Sequence, residues 1–106
     1  MLRVEFSHNG NGALIVRLFG RMVGPYAEDA RNALAHHQLP PSILVDLSQL
    51  TFVDLFGEQV LAWLGRLGAE FVADNVYARS VCDRLQLRIS EKPVGIDSAT
   101  DTSVVP

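Results

Sequence analysis

The sequence predicts a single α/β domain, a mixed β-sheet packed by helices, and three observations predict it. Short apolar or alternating runs of strand length take turns with stretches whose apolar residues recur at three- and four-residue steps. Asn-Gly pairs join the first two runs, which makes them an antiparallel hairpin. Helix-length segments separate the later strands, and such strand–helix–strand units make parallel neighbours through right-handed crossovers. The expected order is β-β-α-β-α-β-α, with a further edge strand possible after the last helix.

Leu2-Arg3-Val4-Glu5-Phe6 alternates with period two, as a half-buried strand does. Asn9-Gly10-Asn11-Gly12 supplies the positive-φ residues of a hairpin turn, and the apolar run 13–19 returns as the second strand. A phosphate-cradling loop is excluded here, because no helix start or GK[ST] element follows the glycines. Gly24-Pro25 opens the first helix, with Pro25 suited to a position whose N–H has no partner. Glu28 and Asp29 are expected in its first turn and His36-His37 in its last, matching the helix dipole. Tyr26, Ala30, Ala33, Leu34 and His37 are expected to share its inner side, and Pro40-Pro41 to end it.

Ser42-Ile43-Leu44-Val45-Asp46-Leu47 reads as a central strand and 48–54 as a connection that keeps Leu50 and Phe52. From Leu55 the spacing turns helical through Phe56, Val60, Trp63, Leu64 and Leu67, with Asp54 as the N-cap and Gly68 as the stop. Residues 69–73 form another strand. Asp74-Asn75 caps a third helix that turns Tyr77, Val81, Cys82 and Leu85 inward and Arg79, Asp83, Arg84 and Arg88 outward. Ile89, Val94 and Ile96 suggest a short edge strand broken by Pro93. The domain is expected to span 1–96, and the Ser/Thr/Asp-rich stretch 97–106 to be a flexible tail.

Composition narrows the function. A chain of 106 residues has room for one domain and one core. Its single cysteine, Cys82, rules out an internal disulfide framework and a Cys-rich zinc site. Nine Lys and Arg against twelve Asp and Glu, a net charge of -3, give no footprint for nucleic acid. No apolar run reaches the roughly 18–20 residues of a membrane span. The opening residues lack the basic-then-apolar layout of a signal peptide, so a cytoplasmic location is expected.

The residues from Ile43 to Gly57, ILVDLSQLTFVDLFG, resemble the core of a STAS domain (sulfate transporter and anti-sigma factor antagonist). That family's pattern is an apolar strand ending in Asp-Leu, a short loop with Leu or Val and a Phe, then Asp-Ser-Ser/Thr-Gly opening a helix. Leu18-Phe19-Gly20-Arg21-Met22 matches the family's Leu-x-Gly-x-Leu, and Gly68-Ala69-Glu70-Phe71-Val72 its Gly-Gly-x-Leu strand entry. The resemblance covers residues 2–88. It implies a STAS fold and a bacterial regulatory module that binds an anti-sigma or serine-kinase-like protein, or a component of a signalling or transport complex. It also implies a docking surface at the motif. One departure stands out: the Ser or Thr that a kinase phosphorylates in bacterial anti-anti-sigma members is Phe56 here, preceded by Leu55. Neither has a hydroxyl, so the usual added charge of about -2 cannot switch this chain. The hydroxyls of Ser48 and Thr51 precede the cap, and the phosphosite does not transfer to them.

Other chemistry is thin. Phe52, Phe56 and Trp63 read either as core or as an aromatic contact surface. Asp46 and Asp54 have the residue types of a general acid–base pair, but Asp54 has a full role as a cap and no nucleophile is near in sequence. His36 and His37 point about 100° apart on a helix and are a poor metal pair; His8 carries no signal. Cys82 reads as a small buried hydrophobe, and Arg79, Arg84 and Arg88 as a solvated basic stripe.

The function expected is therefore a non-enzymatic protein-interaction module with no cofactor and no metal. Its partner-binding residues are Thr51, Phe52, Asp54, Leu55, Phe56, Gly57 and Glu58, with Phe56 as anchor, Asp54 as cap and Gly57 allowing close backbone approach. Two other readings remain at this stage. One is a nucleotide- or anion-binding domain at the helix start near Asp54; the other is a homodimerisation or adaptor domain working through exposed apolar surface.

Overall fold

The structure is a computed structural model that describes residues 2–10, 12–37 and 40–90. Its elements are β1 (Leu2–His8), β2 (Leu14–Met22), α1 (Gly24–His36), β3 (Ile43–Val53), α2 (Leu55–Arg66), β4 (Glu70–Val72) and α3 (Val76–Leu85). The strands form one mixed sheet in the order β1-β2-β3-β4, antiparallel between β1 and β2 and parallel elsewhere. This is the architecture and the element order that the sequence predicts.

The hairpin closes as expected. Asn9 exchanges main-chain hydrogen bonds with Gly12 and Ala13, its side chain accepts the Ala13 N–H at 3.0 Å, and Gly12 takes φ 83°. The core lies on the helix-covered face of the sheet. Leu14, Val16, Leu18 and Met22 from β2 and Ile43, Val45, Leu47, Leu50 and Val53 from β3 meet Ala27, Ala30 and Leu34 of α1 there. Val60, Leu61 and Leu64 of α2, Phe71 of β4, and Ala78, Val81 and Cys82 of α3 complete it.

Several expectations need correction. The stretch 48–53 is not a connection but the second half of an eleven-residue strand. Its pairing with β2 shifts register between Arg17 and Phe19 and again between Gly20 and Arg21. Each shift breaks the in–out alternation that would mark a strand in the sequence. Among the described residues the far edge of this half-strand has no β-strand neighbour, because β4 pairs only with Leu44, Val45 and Asp46. Side chains from the start of α3 serve it instead: Asn75 Nδ2 donates to the Ser48 carbonyl at 3.1 Å, and the Tyr77 hydroxyl accepts the Val53 N–H at 2.8 Å.

α1 begins at Gly24, so Glu28 and Asp29 fall beyond its first turn, which holds no acid. Its buried face is Ala27, Ala30 and Leu34, while Tyr26, Ala33 and His37 are exposed. The helix stops at His36, short of the two prolines, and His37 stacks on the Phe6 ring with centroids 4.0 Å apart. α2 buries Gly57, Val60, Leu61 and Leu64, not Phe56 or Leu67; Trp63 is partly buried, with the Arg31 guanidinium 5.1 Å from its ring centroid. The bare Cα of Gly57 is the reason, because it lets this face sink onto the sheet.

Asn75 caps α3 by accepting the Ala78 N–H at 2.8 Å, and Gly68 follows α2 at φ 94°, both as expected. Beyond α3, Ile89 makes one parallel bridge to Phe71. The rest of the expected edge strand, and the boundary between 96 and 97, lie outside the described residues. Among those described, no helix is long and apolar enough to cross a membrane.

Candidate functional site

The sheet, α1 and α2 converge where β3 ends. Asp54 leaves the strand with extended backbone (φ -94°, ψ -171°), so its side chain can fold back over the helix that follows. Its Oδ1 accepts the Gly57 N–H at 3.0 Å and its Oδ2 accepts the Gly24 N–H at 2.9 Å. Its own N–H reaches the Met22 carbonyl at 3.3 Å, and its carbonyl accepts the first helical bond, from Glu58, at 2.9 Å. The junctions β2–α1 and β3–α2 are thereby tied together at one residue.

Gly57 completes the joint. A Cβ on it would stand 2.3 Å from the Met22 carbonyl oxygen and 2.6 Å from Val53 Cγ1. The absent side chain is thus used up by internal packing: the close approach it permits is to β2 and β3 of its own chain.

Around this joint the seven residues singled out in the sequence divide into two groups. Asp54 and Gly57 are inner scaffold. Phe52, Leu55 and Phe56 turn outward, with 44%, 65% and 57% of their surface exposed. Thr51 is exposed, and its hydroxyl donates to the Gly20 carbonyl at 2.9 Å. Glu58 is ion-paired with Arg84 of α3, which ties the outer side of the first turn of α2 to the third helix.

Two residues join the patch that the sequence reading left out. Tyr26, in the first turn of α1, is 45% exposed. Arg21 at the end of β2 holds its guanidinium 5.5 Å from the Phe52 ring centroid. The sequence places Tyr26 on the inner side of α1, but the phase of α1, set by its start at Gly24, turns it outward. Single exposed apolar residues are ordinary, but Phe52, Leu55 and Phe56 lie within five consecutive positions, with Tyr26 on the helix that Asp54 ties to the same junction, and such a concentration marks contact sites.

The other candidates do not assemble chemistry. Asp46 accepts both the N–H and the hydroxyl of Ser48, at 2.9 and 2.6 Å. It lies back along β3 from Asp54 by a stretch worth roughly 20 Å or more of extended chain, too far for the two to work on one bond. His36 Nδ1 lies 2.6 Å from the Asn32 carbonyl, and no cluster of three potential metal ligands occurs among the described residues. Cys82 is buried, and burial, reinforced by Asp83 and opposed by Arg79, pushes its thiol up to about 11. A thiol held protonated is a poor nucleophile.

No family model and no curated protein matches this chain. Solved structures do. The anti-sigma factor antagonist SpoIIAA in its unphosphorylated form superposes with a TM-score of 0.63 at 15% identity, over 86% of this chain and 90% of that one. An anti-sigma factor antagonist from Mycobacterium paratuberculosis gives a TM-score of 0.59 at 19% identity, over 86% and 88%. At such identities the likeness establishes architecture, and the architecture is that of the motif quoted above: this chain has the STAS fold of the anti-sigma factor antagonists.

Proposed function

We propose that the chain is a non-enzymatic regulatory module that docks a protein partner on the patch around the start of α2. Phe56, Phe52 and Leu55 make the contact, with Thr51 and Glu58 at its rim, while Asp54 and Gly57 hold the patch in shape. The observation that carries this reading is the outward turn of Phe56 at the head of a helix whose first turn is otherwise locked to the sheet. A large aromatic on a rigid support loses little freedom when a partner covers it, and such residues dominate interface energetics.

An anti-sigma or serine-kinase-like protein is the partner class that the fold likeness suggests. The contact is then constitutive. Phe56 cannot accept phosphate, and the hydroxyls of Ser48 and Thr51 are already donated to Asp46 and to the Gly20 carbonyl. Anion binding at the same helix start is disfavoured, because the Asp54 carboxylate occupies the Gly57 amide and would repel the ligand.

The test is recovery of partner proteins, including candidate anti-sigma kinases of the same genome, on wild-type, Phe56→Asp and Glu58→Lys chains. Recovery should fall sharply with Phe56→Asp, and incubation with partner and ATP should add no phosphate. Equal recovery on all three chains would remove this face from consideration.

A further inference from the structure

A second feature lies at the other end of α2, about 16 Å along its axis from Leu55. A cleft of about 430 Å³ opens between the C-terminal ends of α2 and α3. Ala62, Ala69, Leu85 and Leu87 give it apolar walls, and Arg66, Gln86 and Arg88 give it polar ones. Its size falls in the range of small-molecule sites, and both polar and apolar groups line it.

We propose that this cleft binds a small organic oxyanion with an apolar body, its charge held by Arg66 and Arg88 and a further polar atom by Gln86. Basic residues at helix ends commonly serve the terminal carbonyls. Here the chain itself serves the carbonyls of Trp63, Leu64 and Gly65 in α2 and of Cys82 and Asp83 in α3. The Leu67 N–H reaches Trp63 and Leu64, Gly68 donates to Gly65 at 3.0 Å, and Ala69 donates to Leu64 at 3.1 Å. At the end of α3, Gln86 donates to Asp83 at 3.2 Å and Leu87 to Cys82 at 2.9 Å.

Neither guanidinium at the cleft has a partner among the described residues. Arg3 and Arg84 form ion pairs, Arg17 donates to Ser7, and Arg21 and Arg31 lie over aromatic rings. The side chains of Arg66, Arg79 and Arg88 have no hydrogen bond, ion pair or ring contact among the described residues, and two of them, Arg66 and Arg88, line the same cleft. A guanidinium fork matches a carboxylate or phosphate edge, and two of them beside apolar walls select an anion that carries hydrocarbon.

Gln86 supplies an independent sign. It is the only non-glycine residue with positive φ among those described, at φ 56°, ψ 45°. α2 meets the same need for a left-handed residue after its end with Gly68. α3 keeps a side chain at a position where glycine costs less, and that side chain, without a hydrogen bond among the described residues, borders the cleft.

The experiment is amide NMR titration of the full chain with octanoate, phenyl phosphate and inorganic phosphate. Octanoate or phenyl phosphate should shift the Gly65, Gly68, Gln86 and Leu87 amides saturably, and bind about tenfold or more tighter than inorganic phosphate. Arg66→Ala with Arg88→Ala should lower that affinity by about tenfold or more while leaving the melting temperature near wild type. Gln86→Gly should raise the melting temperature and weaken binding, a pairing that a purely structural role does not give. Absence of saturable shifts at these amides, equal affinity for inorganic phosphate, or wild-type binding by the double variant would overturn the proposal. Gln86→Gly binding as wild type does would remove Gln86 from the site.

Discussion

The Asp54 carboxylate accepts the N–H of Gly24, 30 positions earlier in the chain, at 2.9 Å. Its other oxygen accepts the N–H of Gly57. One side chain therefore caps two helices: Val23, the residue at the N-cap of α1, makes no side-chain cap bond, and the acid that α1 lacks in its own first turn is supplied by the N-cap of α2. A negative charge between two helix N-termini is favourable to both dipoles. It also fixes where α1 and α2 start relative to each other, and hence where Tyr26 stands relative to Phe56.

Replacing Asp54 by Ala removes both caps and leaves two N–H groups without an acceptor. Each cap is worth about 1 kcal/mol, so the loss should be about 2 kcal/mol. For a domain of this size that lowers the melting temperature by roughly 8–16 °C. Asp54→Asn keeps one acceptor oxygen and should cost about half as much. Urea or thermal unfolding of the three chains checks the order wild type, Asn, Ala.

Gly57→Ala separates two opposed effects. Helix propensity alone favours Ala over Gly by about 1 kcal/mol. The new Cβ, however, would stand 2.3 Å from the Met22 carbonyl oxygen, a backbone atom that cannot easily yield, and 2.6 Å from the buried Val53 side chain. Overpacking of this kind costs roughly 1–3 kcal/mol, so the net change should be destabilising. A melting temperature above wild type would contradict the close packing of α2 on β2.

How much of this was legible in the sequence depended on whether the signal was local. The hairpin, both side-chain caps at Asp54 and Asn75, and the stop at Gly68 use residues within a few positions of one another, and the sequence predicted each. The second half of β3 was missed because two register shifts against β2 scramble its alternation, and no local pattern records them. The inner faces of α1 and α2 were each misphased. The true phase follows from contacts across the chain: Gly24 held by Asp54, and Gly57 pressed on Met22. The phase of α1 also hides Tyr26 from a sequence reading, whereas Phe56 is legible as a contact residue from the motif alone.

Tyr77→Phe tests how the unpaired edge of β3 is held. Tyr77 OH accepts the N–H of Val53, a buried residue next to Asp54, where no strand among the described residues does so. Removing the hydroxyl strands a donor in a poorly hydrated place, at a cost of about 1–3 kcal/mol. The loss should be local as well as global. Amide exchange of Val53 should accelerate more than that of Val45, which lies within the β4-paired part of the strand. Equal acceleration at both would mean that the bond does no more than add to overall stability.

Cys82 gives a prediction in pH. Its thiol titrates near 9.0 when the chain is unfolded and is pushed up to about 11 in the fold, chiefly by burial. Between those values the unfolded chain has released the proton and the folded chain retains it. The native state then binds more protons, so stability falls as pH rises. The contribution is whole below about pH 9 and is progressively lost through about 11. The measurement is a difference between two chains that share every other group. Unfolding free energy followed from pH 8 to 11 should decline more steeply in wild type than in Cys82→Ala, whose small cavity cost is the same at every pH. Parallel slopes would show that the thiol does not stay protonated in the fold. Alkylation near neutral pH gives the kinetic counterpart: Cys82 should react with iodoacetamide only as fast as the chain opens, because a buried, protonated thiol offers neither access nor thiolate.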